Sequence, residues 1–304
     1  MHELESAALP ESIRSLPAAA LERLGRFRAA ALAEGVPGAD VDRWIALARP
    51  AAELTPGGEG PVVGRCGGPL MLPPDMATPA ERYGSPGGDG FESSEHQLIA
   101  TLDLAAIPVG ATDLPLPPDG HLLLFANPDL EPEPAGGALY LPAGTAVEER
   151  ATNLDWDPVY EHGSPEDLDA HLRAMGELRL RCGATLFEHP VHNLGAYADP
   201  GEHPRARALL EVWEEVAYGD DQEGFVEFRV GGYASDFDGY GDPVGYAARL
   251  EREAGVSSDA AAGEWVLLAE WHGLPMATVY WVMPRGDLVE RRFDRVAVMM
   301  WANP

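Results

Sequence analysis

Trp265-Val-Leu-Leu-Ala-Glu-Trp271, Ala277-Thr-Val-Tyr-Trp-Val-Met283 and Phe293-Asp-Arg-Val-Ala-Val-Met-Met-Trp301 follow one another within Trp265–Pro304. All three runs are rich in β-branched and aromatic residues. The first two are closed by turn-forming residues, His272-Gly-Leu-Pro275 and Pro284-Arg-Gly286. That pattern predicts three strands of an antiparallel meander. In the first run both alternating sets are apolar as far as Ala269, which predicts a central strand covered on both faces. Four of the seven tryptophans fall here, so this is where the largest apolar areas are offered for burial.

Outward from this core, further strand signals lie at Val62–Cys66, Leu98–Leu104, Gly120–Ala126, Ala138–Leu141, Leu178–Leu186 and Phe225–Val230. Helical spacing runs through 11–34, with Leu16, Ala20, Leu24, Phe27 and Leu32 as the apolar stripe, and again from Asp40 to Pro50. Ser164-Pro-Glu-Asp167 announces a helix start, and 204–217 and 243–254 complete the set. Thr55-Pro-Gly-Gly-Glu-Gly-Pro61 reads as a flexible joint. The expected architecture is therefore α+β: antiparallel sheets flanked by helices, with a helical N-terminal extension over 1–55 and the main domain over 56–304. Gly67-Gly68, Leu98–Leu104 and Gly120–Ala126 recur in order as Gly231-Gly232, Trp265–Trp271 and Ala277–Met283. This echo makes a duplication of halves 61–142 and 225–304 the expectation, against the alternative of two unrelated meanders.

Charge narrows the function. The chain has 50 acids and 21 basic residues, a net −29, and every basic residue is arginine. The lack of lysine removes Schiff-base chemistry and the phosphate-binding lysine of P-loop and kinase sites. The acidity disfavours nucleic-acid backbones and anionic membranes, and it suits a basic protein as partner. No apolar run approaches the ~20 residues of a membrane span, and no signal-peptide pattern opens the chain. The expected location is cytoplasmic. Cys66 and Cys182 are too few for a disulfide framework.

Several groups are candidates for chemistry. Glu270 ends the predicted central strand beside His272, where burial would raise its pKa toward general acid or base use. The alternative is an ion pair with Arg291, Arg292 or Arg295. Asp236-Phe-Asp-Gly-Tyr-Gly-Asp242 gathers carboxylates in a glycine-rich turn but lacks the ligand spacing of an EF-hand, with Ala247 at its twelfth position, so no tight calcium site is expected. His189, His192 and His203 sit on a Pro- and Gly-rich stretch that reads as surface, and no metal or cofactor is expected there. Arg65 beside Cys66 in a glycine turn would lower a thiol pKa, but a buried structural thiol is the simpler reading.

Val63-Gly-Arg-Cys-Gly-Gly-Pro-Leu-Met-Leu-Pro73, Leu98–Leu104, Leu116-Pro-Pro-Asp-Gly-His-Leu-Leu-Leu-Phe125, Gly231-Gly232-Tyr233 and the strands through Phe293-Asp-Arg-Val296 resemble the YwqG-like bacterial family. The resemblance runs from about residue 60 onward. It implies an α+β fold and a cytoplasmic protein, in a family of which some members are suspected of toxin immunity. Where that family often carries glutamine in each central strand, this chain has Thr101 and Glu270, and the family's tryptophan after the first Gly-Gly-x-Pro stretch is missing.

Two readings of function stand side by side. One is a non-enzymatic protein-binding module for a basic partner such as a toxin, met through Asp220, Asp221, Glu223, Asp236, Asp238 and Asp242. The other is a hydrolase or metal-dependent enzyme using Glu270 and His272 or the Asp236–Asp242 loop.

Overall fold

The computed structural model describes residues 13, 16–79, 95–127, 136–152, 154, 164–218, 226–235, 241–253, 264–274 and 277–302. Its strands are β1 (Arg49–Pro56), β2 (Val62–Cys66), β3 (Leu70–Leu72), β4 (Gln97–Asp103), β5 (His121–Ala126), β6 (Gly136–Leu141), β7 (Glu148–Arg150), β8 (Glu177–Thr185), β9 (Phe228–Val230), β10 (Trp265–Leu274), β11 (Ala277–Pro284) and β12 (Ala297–Ala302). Its helices are α1 (Ala18–Ala33), α2 (Gly38–Ile45), α3 (Pro165–Met175), α4 (Ala206–Tyr218), α5 (Pro243–Glu253) and α6 (Arg285–Val289). Among the described residues, no helix is long and apolar enough to cross a membrane.

Ten strands form one antiparallel sheet in the order β12-β11-β10-β9-β1-β8-β2-β4-β5-β6, and β3 pairs with β7 in a small second sheet. The α+β class and the β10–β11–β12 meander are as expected. Two details differ. Phe293–Arg295 is a 3₁₀ turn, so β12 starts only at Ala297, and the five-residue α6 precedes that turn. The larger difference is β1. The sequence predicts a helix to Pro50 and a flexible joint from Thr55, yet Arg49–Pro56 forms a middle strand between β8 and β9. The boundary expected near residue 55 thus falls inside a strand of the main sheet.

The sheet curls until its outer strands meet. A Cβ placed on Gly136 of β6 would lie 2.9 Å from Val298 of β12. The Trp281 indole donates to the Phe125 carbonyl across the interior at 2.9 Å. Inward-facing residues such as Leu54, Leu102, Leu124, Leu268, Trp271 and Trp281 fill this nearly closed barrel. The outer face is covered in three places. α1, α2 and α4 pack over Ala184, Leu186 and Phe187, with Trp213 edge-on to Phe27. α5 covers Leu267, Tyr280 and Met299, and the β3–β7 ribbon covers Leu98, Leu123 and Phe125. In α1 the buried Ala20, Leu24, Phe27 and Ala31 follow the helical period, while Leu32 points outward. α3 begins at Ser164 with a full capping box to Asp167.

The two meanders share a register. β2–β4 aligns Arg65 with Thr101, and β9–β10 aligns Arg229 with Glu270. A bulge falls at Ile99 in β4 and at Leu268 in β10. Thr101 then faces Leu123 as Glu270 faces Tyr280, and Leu123 faces Leu139 as Tyr280 faces Met299. Even the turns agree, since Gly67 N–H donates to Ile99 O and Gly231 N–H donates to Leu268 O. The central pair β1 and β8 exchanges neighbours, β1 lying on β9 and β8 on β2.

Candidate functional site

Glu270 is fully buried, on the outer face beneath the 231–235 segment. It belongs to a row of charges laid across the strands by their register: Arg181 on β8, Glu53 on β1, Arg229 on β9 and Glu270 on β10. Arg229 Nη1 lies 2.8 Å from Glu270 Oε1. The other carboxylate oxygen, Oε2, accepts from the Ser235 amide at 2.9 Å and the Ser235 hydroxyl at 3.2 Å. Glu53 is held by Arg23 at 2.7 Å and by Arg181 at 2.7 Å. Alternating signs on adjacent strands give Glu53 and Arg229 an opposite charge on both sides and Glu270 one on β9, which offsets the cost of taking them out of water.

Burial alone pushes the Glu270 carboxyl up, as the sequence suggested. Arg229, His272 and the Ser235 amide outweigh it and hold the group down to about 2. The direction is opposite to that of a general acid. Its partner also differs from expectation: Arg229 on β9, rather than Arg291, Arg292 or Arg295. Arg292 and Arg295 instead pair with Asp287. His272 is held between Glu270 at 3.2 Å and the Thr278 hydroxyl at 3.1 Å. Glu270 and His272 are therefore brought together as expected, but with the Glu270 carboxylate ionised, hydrogen-bonded and buried.

Of the six acids proposed as contacts, Asp220, Asp221, Glu223, Asp236 and Asp238 lie outside the described residues. Asp242 is described, and it is not on a loop tip. It is 8% exposed, accepts from the Tyr197 hydroxyl at 2.6 Å, and accepts from the Val244 amide at 3.0 Å at the start of α5. The histidines separate: His189 is buried with Nε2 3.7 Å from Asp242, His192 is exposed, and His203 packs edge-on to Trp44. Among the described residues no group of His, Cys, Asp and Glu is arranged to hold a metal ion. Cys66 points into the barrel, where burial pushes its thiol up to about 12. Arg65 beside it faces outward, so the lowered thiol pKa does not arise.

The first half repeats the row with one member changed. Glu177 on β8, Arg65 on β2 and Thr101 on β4 occupy the positions of Glu53, Arg229 and Glu270. Thr101 has no carboxylate to offer, and Glu177 turns to Arg179 at 2.9 Å. Arg65 is exposed, and among the described residues its side chain has no hydrogen bond or ion pair. Its guanidinium lies over the turn at Gly68 (φ +96°), where an added Cβ would sit 2.8 Å from Nε. Beside it opens a pocket of about 300 Å³, lined by the polar Thr101 and His121 and by the apolar Met71, Leu123, Leu141 and Val147. Sequence reasoning did not single out this pocket. The available signal was the repeated Arg65-Cys-Gly-Gly68 and Arg229-Val-Gly-Gly232, of which only the glycines were read.

No protein-family model matches the chain, and neither does any curated protein.

Proposed function

We propose that the chain is a non-enzymatic binding protein that meets a basic protein partner through its acidic surface. The observation that carries this reading is where the arginines are engaged. Arg23, Arg181 and Arg229 neutralise Glu53 and Glu270 within the fold. Arg49 lies near Asp113 and Glu264, and Arg292 and Arg295 meet at Asp287. With these arginines already paired to acids of the chain, the excess behind the net −29 is left uncompensated, and complementary fields accelerate encounter with a cation. The state of Glu270 supports the same reading, since a saturated, ionised carboxylate has neither a proton to donate nor a free lone pair for a base.

The resemblance to the YwqG-like family gives this function a concrete form, immunity to a basic toxin met in the cytoplasm. The matching registers and bulges of the two meanders further support an origin of the halves by duplication. The test is to capture the partner by cross-linking in the native host and measure its association with the purified chain. On-rates should fall steeply between about 0.05 M and about 1 M salt, as the Debye length shrinks to about 3 Å, with off-rates changing much less. A captured partner that is acidic or neutral, or an on-rate indifferent to salt, overturns the reading.

A further inference from the structure

The row that the second half closes with its own charges stays open in the first. We propose that the pocket over Arg65 is a binding site for a small amphipathic carboxylic acid, whose carboxylate sits on Arg65 as Glu270 sits on Arg229. This site is independent of any protein partner.

Three observations converge on that chemistry. The first is the available cation. Arg65 has no partner among the described residues of a strongly acidic chain, and its planar fork matches a carboxylate in two parallel hydrogen bonds. The second is the register. At the position equivalent to Thr101, the second half carries a carboxylate 2.8 Å from the equivalent arginine. Threonine keeps the Cβ but lacks the γ-methylene and carboxylate of a glutamate. Thr101 lines the pocket, with its hydroxyl left to hydrogen-bond a ligand oxygen. The third is the apolar lining. Leu123 and Leu141 are the cross-strand partners of Thr101 and His121 on the same sheet face, and Met71 and Val147, both among the exposed large apolar side chains, also line the pocket. An anionic head on Arg65 and a short hydrocarbon tail on this lining satisfy both together.

The size selects a small molecule over a macromolecule. About 300 Å³ is at the low end of small-molecule pockets, and the net −29 opposes the approach of an extended acidic chain. The same net charge makes adventitious carboxylate binding unfavourable, so a saturable signal would report the local site.

Hexanoate is the probe, with hexanamide as its uncharged counterpart, and binding is followed by calorimetry and by amide shifts at His121 and Leu123. The expected result is saturable hexanoate binding with hexanamide at least about tenfold weaker. Arg65→Gln, at an exposed position, should weaken hexanoate by about tenfold or more. Thr101→Glu supplies the missing internal carboxylate, so it should abolish binding while the unfolding temperature holds or rises. If Thr101→Glu does not fold, the Arg65→Gln comparison decides alone. Hexanoate affinity retained in Arg65→Gln, hexanamide binding as tightly as hexanoate, or no saturation below about 10 mM overturns the proposal. So does an acidic peptide that binds where hexanoate does not.

Discussion

At the residue scale, Glu270 and Thr101 set the contrast between the halves. Glu270 is ionised in the folded chain well below the ordinary carboxylate value of 4.5, at about 2. Its pairing therefore contributes fully above about pH 4.5 and is lost as the pH falls through that window toward 2. Glu270→Gln leaves Arg229 buried against a neutral amide, and we expect it to cost about 3–5 kcal/mol near neutral pH. The stability gap between wild type and variant should narrow steadily from about pH 4.5 down to about pH 2, measured by urea unfolding at a series of pH values. A gap of constant size across that window would show that Glu270 keeps its proton affinity on folding. At Thr101 there is no such charge, so Arg65, on the outer face by the same register as Arg229, has no counter-charge among the described residues.

At the element scale, β10 explains why the chain is built around its meander. Its inward residues meet the barrel interior while Leu267 and Glu270 lie beneath the outer cover. Trp271 has no exposed surface and stacks on Phe228 of the neighbouring strand, ring centroids 5.9 Å apart. Trp271→Ala should empty that site at a cost of about 3–5 kcal/mol, read from the midpoint of chemical unfolding. The turn leaving β9 is equally constrained. Gly232 has φ +78°, and a Cβ there would meet the Thr185 hydroxyl oxygen at 2.5 Å. That hydroxyl accepts from the Tyr233 amide at 2.8 Å, so it cannot move away without losing the bond that positions the turn. Gly232→Ala is expected to lose at least about 1–3 kcal/mol, checked in the same assay.

At the scale of the whole molecule, β1 ties the N-terminal helices to the sheet. It carries Glu53 into the charge row, and the Arg23 side chain of α1 reaches that glutamate from above. A chain lacking residues 1–56 would therefore lose the strand joining β8 to β9, not a dispensable extension. We expect such a truncation to lack the near-ultraviolet dichroism of packed tryptophans, and the intact chain to unfold in one transition by fluorescence and by far-ultraviolet dichroism. A soluble, cooperatively folding 57–304 fragment would contradict this. The two outer ends of the sheet meet at β6 and β12, so the halves close one shared interior around the β1–β8 pair.

What the sequence determined by itself was local. Nearly continuous apolar runs marked β4, β5, β10 and β11, because a strand buried on both faces needs little beyond its own residues to be recognised. Ser164 followed by Pro165 and two acids marked α3, because its cap is satisfied within one turn. The tertiary structure alone decided β1, the partner of Glu270 and the pocket. Arg49-Pro-Ala-Ala-Glu-Leu-Thr-Pro56 has two prolines and little β-branched content, and it becomes a strand through ladders to β8 and β9 contributed by distant segments. Arg229 precedes Glu270 by a long stretch of chain, and only their cross-strand register makes one the counter-charge of the other. Arg65 opposite Thr101 looked unremarkable for the same reason. Their pocket is also lined by Met71, His121, Leu123, Leu141 and Val147, from other strands and the segment before β7, and no single segment encodes it.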